Sequence, residues 1–215
     1  INFVEQPEQL GTGDAVRCAL RSYWGQALLK KKIPLLVLPG DQPLMGEDLI
    51  GTMIQPYPSG VKVRLLSTIV KDPTGYGRIV RRGNRPSGNV IRIVEHRDAS
   101  PAQKKITEIG TSIYLFDVEF LSKEITKIQP KNSQKEYYLT DLIEKAAKGK
   151  KAVQVIQWER PDELQGINTT EELNDAAQKL HRLIARAAAA QGTLICDVTS
   201  VWIERTVELG KDVEI

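Results

Sequence analysis

The chain has 215 residues, 41% of them hydrophobic and 27% charged, the balance of an ordinary folded domain. Thirty basic residues face 27 acidic ones for a net charge of +3, too even to argue for a nucleic-acid groove or a membrane surface. Cys18 and Cys196 lie far apart, form no metal pattern and fit a reducing compartment; no apolar run is long enough to span a bilayer, and nothing at the start reads as an export signal.

Ile1–Val4 reads as a short strand with no lead-in, so the chain is expected to begin inside a fold. Gln9-Leu-Gly-Thr-Gly13 follows as a glycine-flanked loop that opens a helix to about Tyr23, with Ala15, Val16, Ala19 and Leu20 on one face. The run Pro34-Leu-Leu-Val-Leu-Pro39 lacks polar alternation, the pattern of a strand buried on both faces of a parallel sheet. It leads into Gly40-Asp41-Gln42-Pro43, where Pro43 blocks an immediate helix and keeps the loop extended. In open α/β sheets ligands bind beyond the carboxyl ends of strands, and Asp41 stands at such an end. A glycine loop opening a helix, together with one strand-end carboxylate, suits a nucleotide and a magnesium ion.

A helix over about 46–55 is expected to bury Leu49, Ile50, Met53 and Ile54, and Val61–Val70 reads as the next strand. Asp72-Pro-Thr-Gly-Tyr-Gly77 is dense turn chemistry. Arg78–Val80 and Val90–Glu95 look like a strand pair. The basic connection 81–89 carries three arginines that could meet phosphate but reads better as a solvated hairpin. Ile109–Phe116 is another buried strand, helices follow at about 117–127 and 139–148, and Ala152–Trp158 is a further strand. Thr169-Thr-Glu-Glu172 is a capping box that opens a long helix with Leu173, Ala176, Ala177, Leu180, Leu183, Ile184 and Ala187 on one side, ended by Gly192. Beyond it, Ile195, Val201, Val207 and Val213 recur at a spacing of six, as do Ile203, Leu209 and Ile215. That period marks a β-helix, although two ordinary alternating strands would also satisfy it.

Seven stretches then carry a resemblance: Gln9-Leu-Gly-Thr-Gly13, Gly40-Asp-Gln-Pro-Leu44, Asp72-Pro-Thr-Gly-Tyr-Gly-Arg-Ile79, Ile93-Val-Glu-His-Arg-Asp98, Glu108-Ile-Gly-Thr-Ser112, Glu136-Tyr-Tyr-Leu-Thr-Asp141 and Gly166-Ile-Asn168. In this order and spacing the chain resembles the family of the bifunctional bacterial enzyme that is both N-acetylglucosamine-1-phosphate uridylyltransferase and glucosamine-1-phosphate acetyltransferase. The resemblance implies an α/β, Rossmann-like nucleotidyltransferase domain with a mixed sheet over 1–168, N-terminally incomplete, a linker helix over 169–192 and the start of a left-handed β-helix over 193–215. It implies a cytoplasmic, Mg2+-dependent reaction of UTP with N-acetylglucosamine 1-phosphate to give UDP-N-acetylglucosamine, for cell-wall precursor synthesis. Neither nucleic acid nor membrane is an implied partner, and the full-length family is expected to be homotrimeric.

Residue by residue, the resemblance makes Asp41 the catalytic metal ligand and Asn168 the second protein contact to the metal, at the edge of the sugar site. Without it Asp41 would pass as a turn or helix cap, and Asn168 as a turn residue. Gln6, Gly11 and Thr12 become uracil contacts, and Pro39 and Gly40 flank Asp41 in the nucleotide loop. Gly77, Glu95 and Gly110 line the sugar; a salt bridge from Glu95 to Arg97 or Arg78 is the structural reading of the same carboxylate. His96 reads as a solvated or structural histidine, and Tyr137 and Tyr138 as packing. Three departures stand out. The family's basic glycine-rich loop would precede Ile1, so little transferase activity is expected of these 215 residues alone. Gly110 replaces an asparagine that would contact the sugar, and Pro39 replaces a residue with a backbone donor. Two other readings stay open: an inactive sugar-nucleotide-binding module, and a related nucleotidyltransferase with a different sugar.

Overall fold

A computed structural model describes residues 1–56, 58–149 and 152–215. The chain divides into two compact units, the first Ile1–Pro39 with Gly46–Pro161 and the second Gly40–Met45 with Asp162–Ile215.

The first unit opens with a correction. Ile1–Val4 is not a strand: it has no ladder partner among the described residues, and Ile1 and Phe3 are 111% and 92% exposed. A short apolar run becomes a strand only where an edge receives it. Helix α1 (Thr12–Arg21) starts directly after Gly11 and buries Val16 and Leu20, leaving Ala15 exposed. It stops earlier than expected because Ser22 is extended and its hydroxyl accepts from Gly25 N–H at 3.1 Å, capping a second helix, α2 (Tyr23–Lys31).

Strand β1 (Leu35–Val37) corrects a second expectation. It runs antiparallel to a later strand and is only half-buried, since an apolar run records burial and carries no strand direction. Helix α3 (Glu47–Ile54) buries Leu49 and Met53, while Ile54 is 58% exposed, against expectation, because it sits at the helix end. Strand β2 (Val63–Ile69) carries the buried Arg64. Its guanidinium donates to the carbonyls of Met53 (2.7 Å), Gln55 (2.5 Å) and Pro56 (3.2 Å) and to Gln154 Oε1 (2.9 Å). One arginine thus satisfies carbonyls that the end of α3 and the turn after it leave without helical partners.

Strands β3 (Arg78–Arg81) and β4 (Val90–Val94) form the expected antiparallel pair. Between them Arg82 and Arg85 are exposed, whereas Arg81 is tied to Glu108 at 2.7 Å. Then come α4 (Pro101–Lys104), β5 (Glu108–Phe116), α5 (Val118–Ile125, capped by Asp117), α6 (Asp141–Ala147) and β6 (Val153–Trp158). The six-stranded sheet runs β4-β3-β5-β2-β6, with β1 on β5. Among the described strands of this sheet only the β2–β6 pairing is parallel. One edge of β5 pairs with β2. The other is shared: β1 takes Tyr114–Phe116 and β3 meets Ile109. Val63, Leu65, Ile79, Ile93, Tyr114 and Phe116 build the core with residues of α1, α5 and α6.

In the second unit, α7 (Thr170–Ala190) has the expected capping box, Thr169 with Glu172, and Gly192 past its end takes φ 105°. Its buried positions are Ala176, Ala185 and Ala188, whereas Leu173 and Leu183 are 53% and 52% exposed. The face expected to be buried is therefore covered only in part, since small alanines allow the closer approach. Between 193 and 215 the backbone forms one isolated parallel bridge, Leu194 with Glu214, and no named strand. Ile203 is buried, with Ile195, Val201 and Leu209 packed beside it, while Val207 and Ile215 are exposed.

Candidate functional site

The loop before α1 is built on glycine geometry. Gly11 takes φ 102°, and a Cβ there would stand 2.8 Å from Glu136 Cβ and 2.9 Å from the Tyr137 carbonyl oxygen. The loop is laced to the 136–139 segment. Tyr137 N–H donates to the Leu10 carbonyl at 2.8 Å, Gly13 N–H to the Tyr137 carbonyl at 2.7 Å, and Leu139 N–H to Thr12 Oγ1 at 3.1 Å. Thr12 therefore anchors this loop through its own hydroxyl oxygen. The half-buried Gln6 donates from its amide nitrogen to the Gly11 carbonyl at 3.2 Å and to Asp14 Oδ2 at 3.0 Å. With both N–H groups taken, the orientation of the amide is fixed and Oε1 is left to accept. Asp14 is buried in the first turn of α1 and faces Arg17 at 3.7 Å; the Arg17 guanidinium lies over the Tyr137 ring at 4.2 Å.

A second cluster of the first unit gathers at the ends of β3, β4 and β5. Gly110 N–H donates to the Gly77 carbonyl at 2.9 Å. A Cβ on Gly77 would stand 2.8 Å from Ile93 Cγ2 and 3.2 Å from Glu95 Oε2, and one on Gly110 3.1 Å from Ile93 Cδ1. Gly77, Glu95 and Gly110 are thus brought together, with the glycines leaving the space beside the carboxylate. Glu95 is half-buried and takes the Thr140 hydroxyl at 2.9 Å on Oε1. Burial pushes its carboxyl above the usual range, partly opposed by the Thr140 bond, and the charges of Asp98, Asp141 and Glu136 push the same way as burial. Among the described residues no salt bridge joins Glu95 to Arg78 or Arg97, the alternative reading of that carboxylate: Arg78 donates to the Tyr76 carbonyl and meets His96 Nδ1 at 3.2 Å.

The second unit carries Gly40, Asp41 and Asn168. Ile167 N–H donates to the Asp41 carbonyl at 2.9 Å. A Cβ on Gly166 would stand 2.9 Å from Asp41 Oδ2, so a side chain there would have to displace the carboxylate. Asp41 and Asn168 are both exposed, and the Asn168 backbone N–H is held by Glu172 Oε2 at 2.7 Å. A Cβ on Gly40 would meet nothing within 4 Å, so that stretch of backbone stays open to approach. Pro39, half-buried, closes the first unit's segment after β1. Among the described residues no group of three or more His, Cys, Asp or Glu side chains could hold a metal by itself. One carboxylate and one amide oxygen on linked loops are hard oxygen donors, and they fit an ion that takes most of its ligands from phosphate and water.

Sequence reasoning missed Asp14, Thr140 and Gly166, which act on the side chains that it named. Gly166 was legible as the neighbour of Ile167 and Asn168 in a short motif. Thr140 likewise lay inside the Glu136–Asp141 stretch without a role assigned, whereas Asp14 carries no signal of its own, being an ordinary helix-start residue until the fold places Gln6 against it. Ser112, with φ 63°, lies where the β5–β2 register shifts, two residues beyond Gly110.

The chain can be set beside known proteins. The family model for nucleotidyl transferases matches residues 1–161. A protein of Geotalea uraniireducens named bifunctional protein GlmU is 38% identical over 216 residues, covering 100% of this chain and 46% of its own length. The protein of that name from Pelotomaculum thermopropionicum is 37% identical over 211 residues, covering 98% of this chain and 44% of its own length. The chain spans about half the length of the curated relatives that it matches. A crystal structure from Entamoeba histolytica, described as a UDP-N-acetylglucosamine pyrophosphorylase, superposes with a TM-score of 0.66 at 14% identity, covering 99% of this chain and 64% of that one. That likeness is one of fold, a Rossmann-like mixed α/β sheet. With three-quarters of its length matched by the family model, the chain belongs to the nucleotidyl transferase family.

Proposed function

We propose that the protein is a uridylyltransferase that joins UTP and N-acetylglucosamine 1-phosphate into UDP-N-acetylglucosamine and pyrophosphate, with Mg2+, in the cytoplasm. The observation that carries this reading is the bond from Ile167 to the Asp41 carbonyl, which ties two motif loops far apart in sequence into one support for Asp41 and Asn168. These two residues are the protein's contacts to the ion. When bound, the ion supplies positive charge against the phosphates of both substrates.

The rest is positioning by the chain itself. The reaction requires the sugar phosphate oxygen to meet the α-phosphorus in line with the leaving pyrophosphate. Gln6 presents Oε1 as an acceptor, which suits the uracil imide N–H, and the Gly11 backbone lets a base approach closely. Glu95 offers a carboxylate to sugar hydroxyls beside Gly77, and partial burial strengthens such bonds. Gly110 contributes no side chain, so the sugar is held there by shape and backbone. The two thiols are free, as a reducing compartment requires. The parallel bridge of Leu194 with Glu214 supports reading 193–215 as a β-helix coil after a linker helix.

The test is pyrophosphate release from UTP and N-acetylglucosamine 1-phosphate in the presence of Mg2+, with Asp41→Ala as control. With the family's basic glycine-rich loop joined ahead of Ile1, we expect release that falls about a hundredfold or more in the variant. Release equal in both would remove Asp41 from the reaction. No release, and no binding of UDP-N-acetylglucosamine by calorimetry, would overturn the reading.

A further inference from the structure

We propose that a cleft of about 610 Å³ in the first unit, lined by β2, β3, the 82–89 connection and the α4–β5 segment, is a binding site for a small organic anion with an apolar body. It shares none of its lining residues with the nucleotide loop or with Gly77, Glu95 and Gly110. Its size lies in the range of small-ligand sites.

The apolar part comes from Ile69, Ile79 and Ile106. Ile69 is 55% exposed at the end of β2, so its side chain faces water unless something covers it. The charge comes from Arg85 and Lys105. Both line the cleft, both are exposed, and neither forms an ion pair within 4 Å among the described residues.

The other two charges of the lining cancel. Glu108 is gripped by Arg81, from Nε at 2.7 Å and Nη2 at 2.7 Å, and takes the Ser67 hydroxyl at 2.8 Å. The remaining Arg81 nitrogen, Nη1, donates to the Gly88 carbonyl at 2.8 Å. A bidentate pair closed in this way neither repels an anion nor competes for it. The cleft therefore presents two uncommitted cations above an apolar wall. A ligand of matching form carries one or two negative charges at one end and an aromatic or aliphatic body at the other. Such a ligand gains from both parts, whereas an inorganic anion gains only from the exposed cations, which are worth little alone.

The probe is 8-anilinonaphthalene-1-sulfonate, an aromatic monoanion, followed by fluorescence and located by amide chemical shifts. Shift changes are expected at Ile69, at 79–81, at Arg85 and at 102–108. The double variant Arg85→Glu, Lys105→Glu is expected to weaken binding about tenfold or more, and Ile69→Asn to weaken it about tenfold without adding a charge beside either cation. All three positions are exposed, so melting temperatures should match the parent. Inorganic sulfate should compete only at far higher concentration. Shift changes confined to other regions, or affinity unchanged in both variants, would overturn the proposal. So would equal competition by sulfate, because the apolar wall would then contribute nothing.

Discussion

Ile167 donates its backbone N–H to the Asp41 carbonyl at 2.9 Å, and the residue just before it, Gly166, leaves a gap that the Asp41 carboxylate fills. The position of the carboxylate is thus set by a neighbour's missing side chain. A methyl group at 166 would stand 2.9 Å from Asp41 Oδ2, closer than real Cβ atoms come. Gly166→Ala should turn the Asp41 side chain away and cost about ten- to a hundredfold in uridylyl transfer. The melting temperature should hardly move, because Asp41 is exposed and its side chain can shift. Pyrophosphate release and a thermal melt on the same sample check both halves.

The Gln6 amide spends its hydrogens on Gly11 and Asp14. Gln6→Glu would bring a carboxylate against Asp14 Oδ2, now 3.0 Å away, and remove both donors. Loss of about 1.5–3 kcal/mol of binding is expected, or roughly ten- to a hundredfold in Kd for UTP, measured by calorimetry. Asp14→Asn in the same background should restore part of it by lifting the repulsion.

Glu95 gives a pH prediction whose sign follows from burial. Its carboxyl is raised above the ordinary value of 4.5, so ionisation costs the folded state more than the unfolded one. That cost is absent below the unfolded value and grows as pH rises through the window up to the folded one. Glu95→Gln keeps an acceptor for Thr140 and removes the charge. It should therefore raise the melting temperature at pH 7, with no gain at pH 4, while raising KM for the sugar phosphate. Melts at the two pH values together with initial rates decide it.

Arg64 is 2% exposed and satisfies the carbonyls of Met53, Gln55 and Pro56. Arg64→Leu would orphan those carbonyls, each worth about 1–3 kcal/mol when left unpaired in the interior. A loss of about 3 kcal/mol or more is expected in urea unfolding. Arg64→Lys should recover little, since an ammonium cannot reach the same set of acceptors with one planar fork.

These sites differ in how far the sequence reveals them. The Gly11–Gly13 loop, the β3–β4 pair, the Thr169–Glu172 box and Gly192 were legible because each is decided by residues within a few positions of one another. The second helix after Ser22 was hidden, since Tyr23-Trp24-Gly25 has no helical period and the signal is a single hydroxyl. The direction of β1 was hidden for another reason. Leu35–Val37 is apolar whichever way its neighbour runs, and the partner is Tyr114–Phe116, far along the chain. The exposed Ile1–Val4 segment shows the same limit, because pattern reports a tendency and pairing needs an edge. Around the candidate site, the named residues carried their motifs, while Asp14 and the role of Thr140 depended on packing that no local pattern records.

The shared edge of β5 has a consequence for how this protein can change over time. Leu35–Val37 and Arg78 use the same edge of β5 at its two ends, opposite Tyr114–Phe116 and Ile109. Only the few β5 residues between these two pairings are left for either strand to lengthen into, so larger variation in length falls to the loops at their ends. Those loops carry Gly40, Asp41 and Gly77. The fold thus limits the reach of both strands and leaves descendants free to retune the segments through which a new substrate would be met.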